Sequence, residues 1–336
     1  MSKLIIPGKN ATIIRVTERQ SFKECRRRHF YEYQRNITCG DRPSGARELG
    51  TAIHAVLEIY YRELKHQIDL GKRDSELAEL LAWQTWVEKN QNLEQDQQEL
   101  GQGMIDHYFE HYKFEDAKID PYIVEQRLYA KVPGTRNTYL TGKMDLILNI
   151  SEELWVSDHK TLSQFYPSDL MELKDQLTAY VWLARQNGIN VRGGIYNMLL
   201  KKVPSVPKLL KSGEMSRNAA IVTTPKVYRE ACVEAGLNLD DYEDFIAGMK
   251  QSEFFRREKV YRSKKHIDNF EKQLTAEVKE MTSKNTFRWF HTNEWCVWCD
   301  FRSLCKVQND GGDVESIIRD YYVDNTEREN VKPNGK

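Results

Sequence analysis

The stretch TYLTGKMDLILNISEELWVSDHK, residues 138–160, decides how the rest of the chain is read. Leu140, Gly142, Met144, Leu146, Leu148 and Ile150 alternate, which predicts a strand over 138–150 with those residues on one face. Asp145 then falls on the opposite face, with Lys143 and Ile147. After a short turn near Ser151–Glu153, residues 153–160 read as a second strand. There Asp158 and Lys160, two residues apart, share a face at a spacing of about 6–7 Å. If the two strands pair through the turn, Asp145 and Asp158 converge on one hard cation. Mg²⁺ or Mn²⁺ takes oxygen ligands and keeps waters, and it can acidify a bound water. Lys160 would orient or activate that water, or offset charge on a phosphate. An isolated Asp-x-Lys is ordinarily a surface ion pair. Here Leu146, Leu148, Trp155 and Val156 mark a buried sheet, where unpaired charge is costly.

Outward from this core the periodicity changes. Toward the N-terminus, residues 122–132 read as a strand, closed by a turn at Pro133-Gly134. Residues 47–66, 74–90 and 96–114 carry helical stripes; the first is Leu49, Ile53, Val56, Leu57, Tyr60 and Leu64. Residues 21–35 read as a helix with Ser21 as N-cap and Glu24 at the capping-box position. Toward the C-terminus, a helix over 168–187 precedes a strand near 194–200. A strand at 219–223, helices near 226–236 and 239–250, a strand at 256–262 and a helix to about 282 complete the pattern. This order predicts an α/β fold with a central mixed sheet flanked by helices, three-layered. We expect one domain over 1–325, with a helical insertion at about 66–118 and a flexible tail over 326–336.

Composition sets limits. The 336 residues are 40% hydrophobic and carry 50 basic against 50 acidic groups. Global charge therefore gives no pull toward a polyanion, and any nucleic-acid surface must be a local basic patch. No run of about 18 apolar residues suggests a membrane span, and the N-terminal apolar run is too short for a signal peptide. A reducing, cytoplasmic setting is expected, where clustered cysteines more often bind metal than form disulfides.

Cys296-x2-Cys299-x5-Cys305 is such a cluster, reading as structural zinc or iron–sulfur. Its fourth ligand is not adjacent. Cys25 is the leading candidate, with Cys39 and His291 as rivals, while Cys232 reads as a buried thiol. Tying Cys25 to Cys296 closes a loop of 271 residues (296 − 25). By the chain-entropy estimate such a tie is worth about 5–6 kcal/mol. These segments, 21–35 and 290–308, form an expected clamp.

Further candidates follow from spacing. His54 lies one helical turn after Gly50, whose missing side chain permits close approach. Gln176 and Tyr180 share a helix face after the Asp-x-Lys strand. Arg26, Arg27 and Arg28, followed by His29, Phe30, Tyr31 and Tyr33, mix charge with aromatics as single-strand binders do. Lys201-Lys202 and Lys208…Lys211 offer a second basic region. For each of these the alternative is an ordinary packed or solvated helix face.

Taken in order, Gly50-x3-His54, Gly142-x2-Asp145, Asp158-x-Lys160 and Gln176-x3-Tyr180 resemble the motifs of the RecB-like branch of the PD-(D/E)XK nucleases. The flanking cysteines, one before and three after, resemble its iron–sulfur subgroup, which includes AddB-type helicase-nucleases, CRISPR-associated exonucleases and phage members. The resemblance implies a Mg²⁺- or Mn²⁺-dependent deoxyribonuclease, an exonuclease on single strands or DNA ends. His54, Asp145, Asp158 and the His159 carbonyl would be metal ligands, Lys160 the catalytic lysine, and Glu125 a further acidic group of the site. Gln176 and Tyr180, with Arg26 and Arg27, would contact DNA. Cys25, Cys296, Cys299 and Cys305 would hold a [4Fe–4S] cluster, with Zn²⁺ as the alternative. The implied partners are DNA and a helicase, a recombinase or a CRISPR adaptation protein, in recombination, repair or phage DNA processing, with no membrane.

Overall fold

The strand Thr138–Ile150 (β4) is the axis of the molecule, flanked on both edges for most of its length. On one edge the strand Ile119–Lys131 (β3) runs antiparallel to it throughout. The other edge is shared. The strand Thr12–Arg15 (β1) pairs parallel with Thr138–Thr141, and the strand Glu153–Leu162 (β5) pairs antiparallel with Leu146–Ile150. Between these two partners, on that edge only, no described strand pairs with residues Gly142–Asp145. β5 leaves β4 after Ser157 and continues as the parallel neighbour of Val191–Leu200 (β6), which pairs antiparallel with Phe255–Tyr261 (β7). The sheet therefore forks where Asp145 faces Asp158-His159-Lys160. A computed structural model describes residues 4–39, 46–218, 220–249, 253–283, 288–290 and 294–324.

Helices cover both faces. Chain order gives Val16–Glu24 (α1), Arg26–His29 (α2), Ala46–Asp69 (α3), Ser75–Lys89 (α4), Gln95–Asp116 (α5), Ser168–Met171 (α6) and Asp175–Gln186 (α7). Pro225–Glu234 (α8), Glu243–Gly248 (α9), Lys264–Thr282 (α10), Arg302–Asn309 (α11) and Val314–Tyr321 (α12) follow. One apolar core joins Phe22 of α1, Leu177 and Val181 of α7 and Leu274 and Val278 of α10 to Met144, Val156 and Met198 of the sheet. The other joins α3, α4 and α5 to Leu146, Leu148, Trp155 and Leu199. The result is helix, mixed sheet, helix, each layer burying one apolar face. No helix among the described residues is long and apolar enough to cross a membrane.

A smaller unit lies apart from the sheet. The two-stranded pair Ile37–Cys39 (β2) and Tyr322–Asp324 (β8) is antiparallel. It packs with Tyr31, Phe301, Leu304 and Ile318 into a third core. Residues 40–45 and 284–287, the expected ligand rival His291, Ala219 and the tail from 325 lie outside the described residues.

Three expectations need correction. The helix expected from Ser21 begins at Val16, directly after β1, because Glu18 reaches back to the Arg15 N–H and caps it there. It breaks at Cys25, which is extended (φ −162°, ψ 117°), and continues as α2 and a π-helical turn, Phe30–Gln34. Ser21 is buried mid-helix and donates to Glu32. The strand expected at 219–223 is loop over 221–223; it leads into Thr224, whose hydroxyl caps α8. The even residues of β4 do not all share one face. Leu140 and Met144 pack toward α7, Leu146 and Leu148 toward α3. The switch occurs opposite Glu125, which adopts φ 51°, a left-handed conformation that costs a non-glycine residue about 1–2 kcal/mol.

Candidate active site

Two glycines let the helices reach the fork. A Cβ on Gly142 would lie 2.7 Å from the Tyr180 ring, so β4 and α7 meet closely only because it is absent. A Cβ on Gly50 would lie 2.9 Å from Thr161 Oγ1, which lets α3 press against β5. These approaches deliver His54 from one layer and Gln176 with Tyr180 from the other.

At the fork His54, Glu125 and Asp145 each place a ligand atom within 4.8 Å of the other two. His54 Nδ1 is 3.7 Å from Asp145 Oδ2, and the same oxygen accepts the His159 N–H at 2.9 Å. The His54 ring hydrogen-bonds the His159 carbonyl. His159 thus enters the site by its backbone, while its ring sits edge-on to that of His54, centroids 5.9 Å apart. Glu125, 8% exposed, pairs with Lys143 at 2.5 Å. The left-handed turn at Glu125 falls where the sheet changes face and brings its carboxylate to the fork.

Asp158 stands outside this donor set. It lies on the α7 side of β5, 2% exposed, and the Lys160 ammonium sits 2.7 Å from Oδ2 and 2.9 Å from Oδ1. Gln176 Nε2 donates to the Tyr180 hydroxyl at 3.2 Å on the same side. The expected site residues are therefore brought together in two subsets, a His–Glu–Asp trio with metal-ligand spacing and an Asp–Lys pair, linked by field rather than contact.

The electrostatics follow from burial and proximity. Burial and the facing Asp158 carboxylate push Asp145 up to about 7. Burial, then Asp145, also raises Glu125 despite Lys143. Burial and the Lys160 ammonium hold His54 below its ordinary value, so its ring carries a lone pair for a metal. Burial works against the Lys160 charge, but the Asp158 carboxylate outweighs it, so the ammonium is held above its ordinary value. Even with Lys143 paired to Glu125, burial and mutual repulsion raise both carboxyls beside a neutral imidazole, and a divalent cation would stabilise their charged forms.

The fork opens into a cleft of about 1050 Å³ between α1, the sheet and the start of α7. Eight basic residues line it: Arg15, Lys23, Arg28, Arg47, Arg127, Lys143, Lys160 and Lys174. The acidic lining is Glu24, Glu32, Asp145 and Asp175. Basic groups thus outnumber acidic ones eight to four among the lining residues, and two of them, Lys143 and Lys160, pair with Glu125 and Asp158 just outside the lining. Arg26 and Arg27 do not line it. Arg26 pairs with Glu280, and Arg27 donates to Asn309 and the Arg288 carbonyl. Lys201, Lys202, Lys208 and Lys211 also lie outside the lining.

Sequence reasoning missed the polar network beneath the site. The His159 ring stacks on Tyr61 (5.7 Å, 13°) and meets the Asn197 amide at 2.8 Å. Asn197 donates to the Tyr108 hydroxyl, which takes a hydrogen bond from Arg257, itself bound to Asp116 at 2.5 Å and Tyr61 at 2.8 Å. Burial and His54 hold His159 well below its ordinary value, so the ring is neutral and fixed. Tyr108 reads only as bulk on a helix and Tyr61 does not stand out, because no local pattern links either to Arg257.

The family model described as the PD-(D/E)XK nuclease superfamily matches residues 16–306, from the start of α1 to Lys306. The chain belongs to that superfamily. Its members are nucleases that use divalent metals, and the His54–Glu125–Asp145 trio fits this chemistry in ligand type and spacing. No curated protein matches the chain in sequence. A solved structure, "Crystal structure of SSO0001", aligns at 14% identity over 89% of this chain and 88% of that one, with a TM-score of 0.34. That likeness is too remote to carry an argument.

The four clamp cysteines line one small apolar cavity of about 60 Å³, together with Phe290, Trp295 and Phe301. No three of their sulfurs lie within 4.8 Å of one another. Cys25 also caps α2, accepting the Arg28 N–H. Burial raises the Cys299 and Cys305 thiols, against the pull of Arg28 and Arg27 respectively. Cys232 is fully buried, far from these in the core of α8 and α9.

Proposed function

We propose that this chain is a metal-dependent deoxyribonuclease that trims single strands or DNA ends. The observation that carries the reading is the convergence of His54, Glu125 and Asp145 at the fork, beside the Asp158–Lys160 pair, where Asp145 and Lys160 line a cleft richer in basic than in acidic residues. His54, Asp145 and Glu125, with the His159 carbonyl, would hold Mg²⁺ or Mn²⁺. Bound there, the ion supplies Lewis acidity toward a phosphate oxygen and a water that ionises more easily. The remaining work falls to the chain. Lys160, kept charged by Asp158, donates to the phosphate or to the attacking water and offsets negative charge as it grows. As an ammonium it does not take the proton. Asp158 acts by holding Lys160 in place. Gln176 and Tyr180 line the cleft and contact the strand.

We further propose that Cys25, Cys296, Cys299 and Cys305 hold a [4Fe–4S] cluster whose work is structural. The four thiols border one cavity, and no three of their sulfurs come within 4.8 Å of one another, which favours a cluster over a single Zn²⁺. With Zn–S of about 2.3 Å, tetrahedral zinc needs sulfurs about 3.8 Å apart. Anaerobic protein should carry iron and sulfide with visible charge-transfer absorbance; stoichiometric zinc without iron would refute the cluster. A helicase, recombinase or CRISPR adaptation protein as partner, and a cytoplasmic site of action, follow from the resemblance alone and stay proposals.

The test of the main reading is cleavage of end-labelled single- and double-stranded DNA with Mg²⁺, Mn²⁺ or chelator, beside Lys160→Ala. Metal-dependent cutting lost in the variant supports it. Metal-independent cutting, or equal cutting by the variant, sinks it.

A further inference from the structure

The clamp exposes large apolar side chains beside the cysteine cavity. Trp298 is 81% exposed, Val297 60% and Trp295 57%, all within one five-residue 3₁₀ turn, Glu294–Trp298. Tryptophan is seldom left in water, and an open aromatic surface of this kind marks a binding site. Its position narrows the occupant. Trp295 lines the cysteine cavity, and Glu24 and Arg28 line both that cavity and the catalytic cleft, so the two are neighbours across one wall. Arg302 lines the cavity as well, and Lys306 lies one helical turn further along α11. Both are exposed, and neither forms an ion pair among the described residues.

We propose that Trp295 and Trp298 are a stacking platform for the bases of a single nucleic-acid strand that extends from the catalytic cleft across the Glu24–Arg28 wall, with Arg302 meeting its phosphates. The proposal rests on the nuclease reading. A strand fits because every base offers a flat face to an indole, and because the surface continues from a cleft richer in basic than in acidic residues. Cations beside exposed aromatics are the pairing that binds single strands without reading their sequence. The platform would grip the part of a strand that the cleft cannot reach, so its contribution depends on length.

The experiment measures equilibrium binding of oligothymidylates of roughly five and roughly twenty nucleotides in buffer without added divalent cation. The wild type should favour the long probe, and that probe should quench tryptophan fluorescence. In Trp295→Ala/Trp298→Ala the advantage of long over short should fall by about tenfold or more and the quench should shrink. Trp298→Phe should restore much of the advantage, since a phenyl ring still stacks. Arg302→Ala should lower the slope of log affinity against log salt by about one for the long probe. Equal melting temperatures would establish that the variants are folded. A folded double variant that keeps the full length advantage overturns the proposal and leaves the surface to a protein partner. A wild type that binds both probes equally overturns it while sparing the nuclease reading. Binding to neither, with no cleavage, overturns both.

Discussion

The catalytic cleft and the cysteine clamp share a wall at Glu24 and Arg28 but are held by different means. The cleft is braced from behind. His159 is gripped by Tyr61 and Asn197, and the chain of hydrogen bonds from Asn197 through Tyr108 to Arg257 ends on a buried carboxylate, Asp116. The two layers that carry its side chains bury most of the apolar core. The clamp has a core of six buried residues, exposed tryptophans and four thiols around one cavity. A site that must place groups to within fractions of an ångström is built on packed sheet and helices.

Several measurements can break or sharpen this contrast. The largest effect on rate is expected for Asp145→Asn, which removes a ligand oxygen charge and should reduce metal-dependent cleavage by more than about a thousandfold. The same change should raise stability. The Asp145 folded pKa, about 7, exceeds its ordinary 3.8. The folded state therefore holds the proton more tightly, and stability declines as pH rises from about 4 to 7. Asn cannot ionise, so the variant should melt higher than wild type at neutral pH without divalent cation, and lose that pH slope. A lower melting temperature would show that Asp145 is structural. Lys160→Ala should cost about a hundred- to a thousandfold in single-turnover cleavage, with the melting curve little moved.

On stability, Arg257→Met should be the most damaging, at about 3–5 kcal/mol in denaturant melts, because Asp116 is left buried and unpaired. Cys296→Ser should cost about 2–5 kcal/mol by loosening the clamp, while cleavage per folded molecule stays close to wild type. Lost cleavage with an unchanged melting curve would overturn the division of labour between the two regions. Gly50→Ala should be mildest, about 1–3 kcal/mol, because Thr161 Oγ1 must yield to the new methyl group. A cleavage loss larger than its stability loss would place α3 in the machinery that aims His54.

The alternation in 138–150 and the Asp158-x-Lys160 pair made β4, β5, their pairing and the approach of Asp145 to Asp158 and Lys160 legible from sequence. Those signals are local, and a strand reports its faces residue by residue. Less legible was anything fixed by a neighbour. Four residues, Thr12–Arg15, are too few to show a period, so β1 was invisible and α1 was placed late. The face switch at Leu146 depends on Glu125 in the adjoining strand and cannot be read from β4 alone. The separation of Asp158 from the His–Glu–Asp trio has the same origin. Two carboxylates on paired strands look convergent until the strands part after Ser157. Arg26 and Arg27 looked available for DNA because their partners, Glu280 and Asn309, lie more than 250 residues away in sequence.

The pairing of Ile37–Cys39 with Tyr322–Asp324 has a consequence for biosynthesis. Cys39 meets Tyr322 only after 283 further residues (322 − 39) have been added. During translation the sheet and its two helical layers can assemble while β2 waits beside the emerging domain. The clamp closes last, and with it the wall of the cleft formed by Glu24 and Arg28 becomes fixed. A ribosome-bound chain stalled before residue 290 would then hold His54, Glu125, Asp145, Asp158 and Lys160 but not the segment that completes the wall beside them.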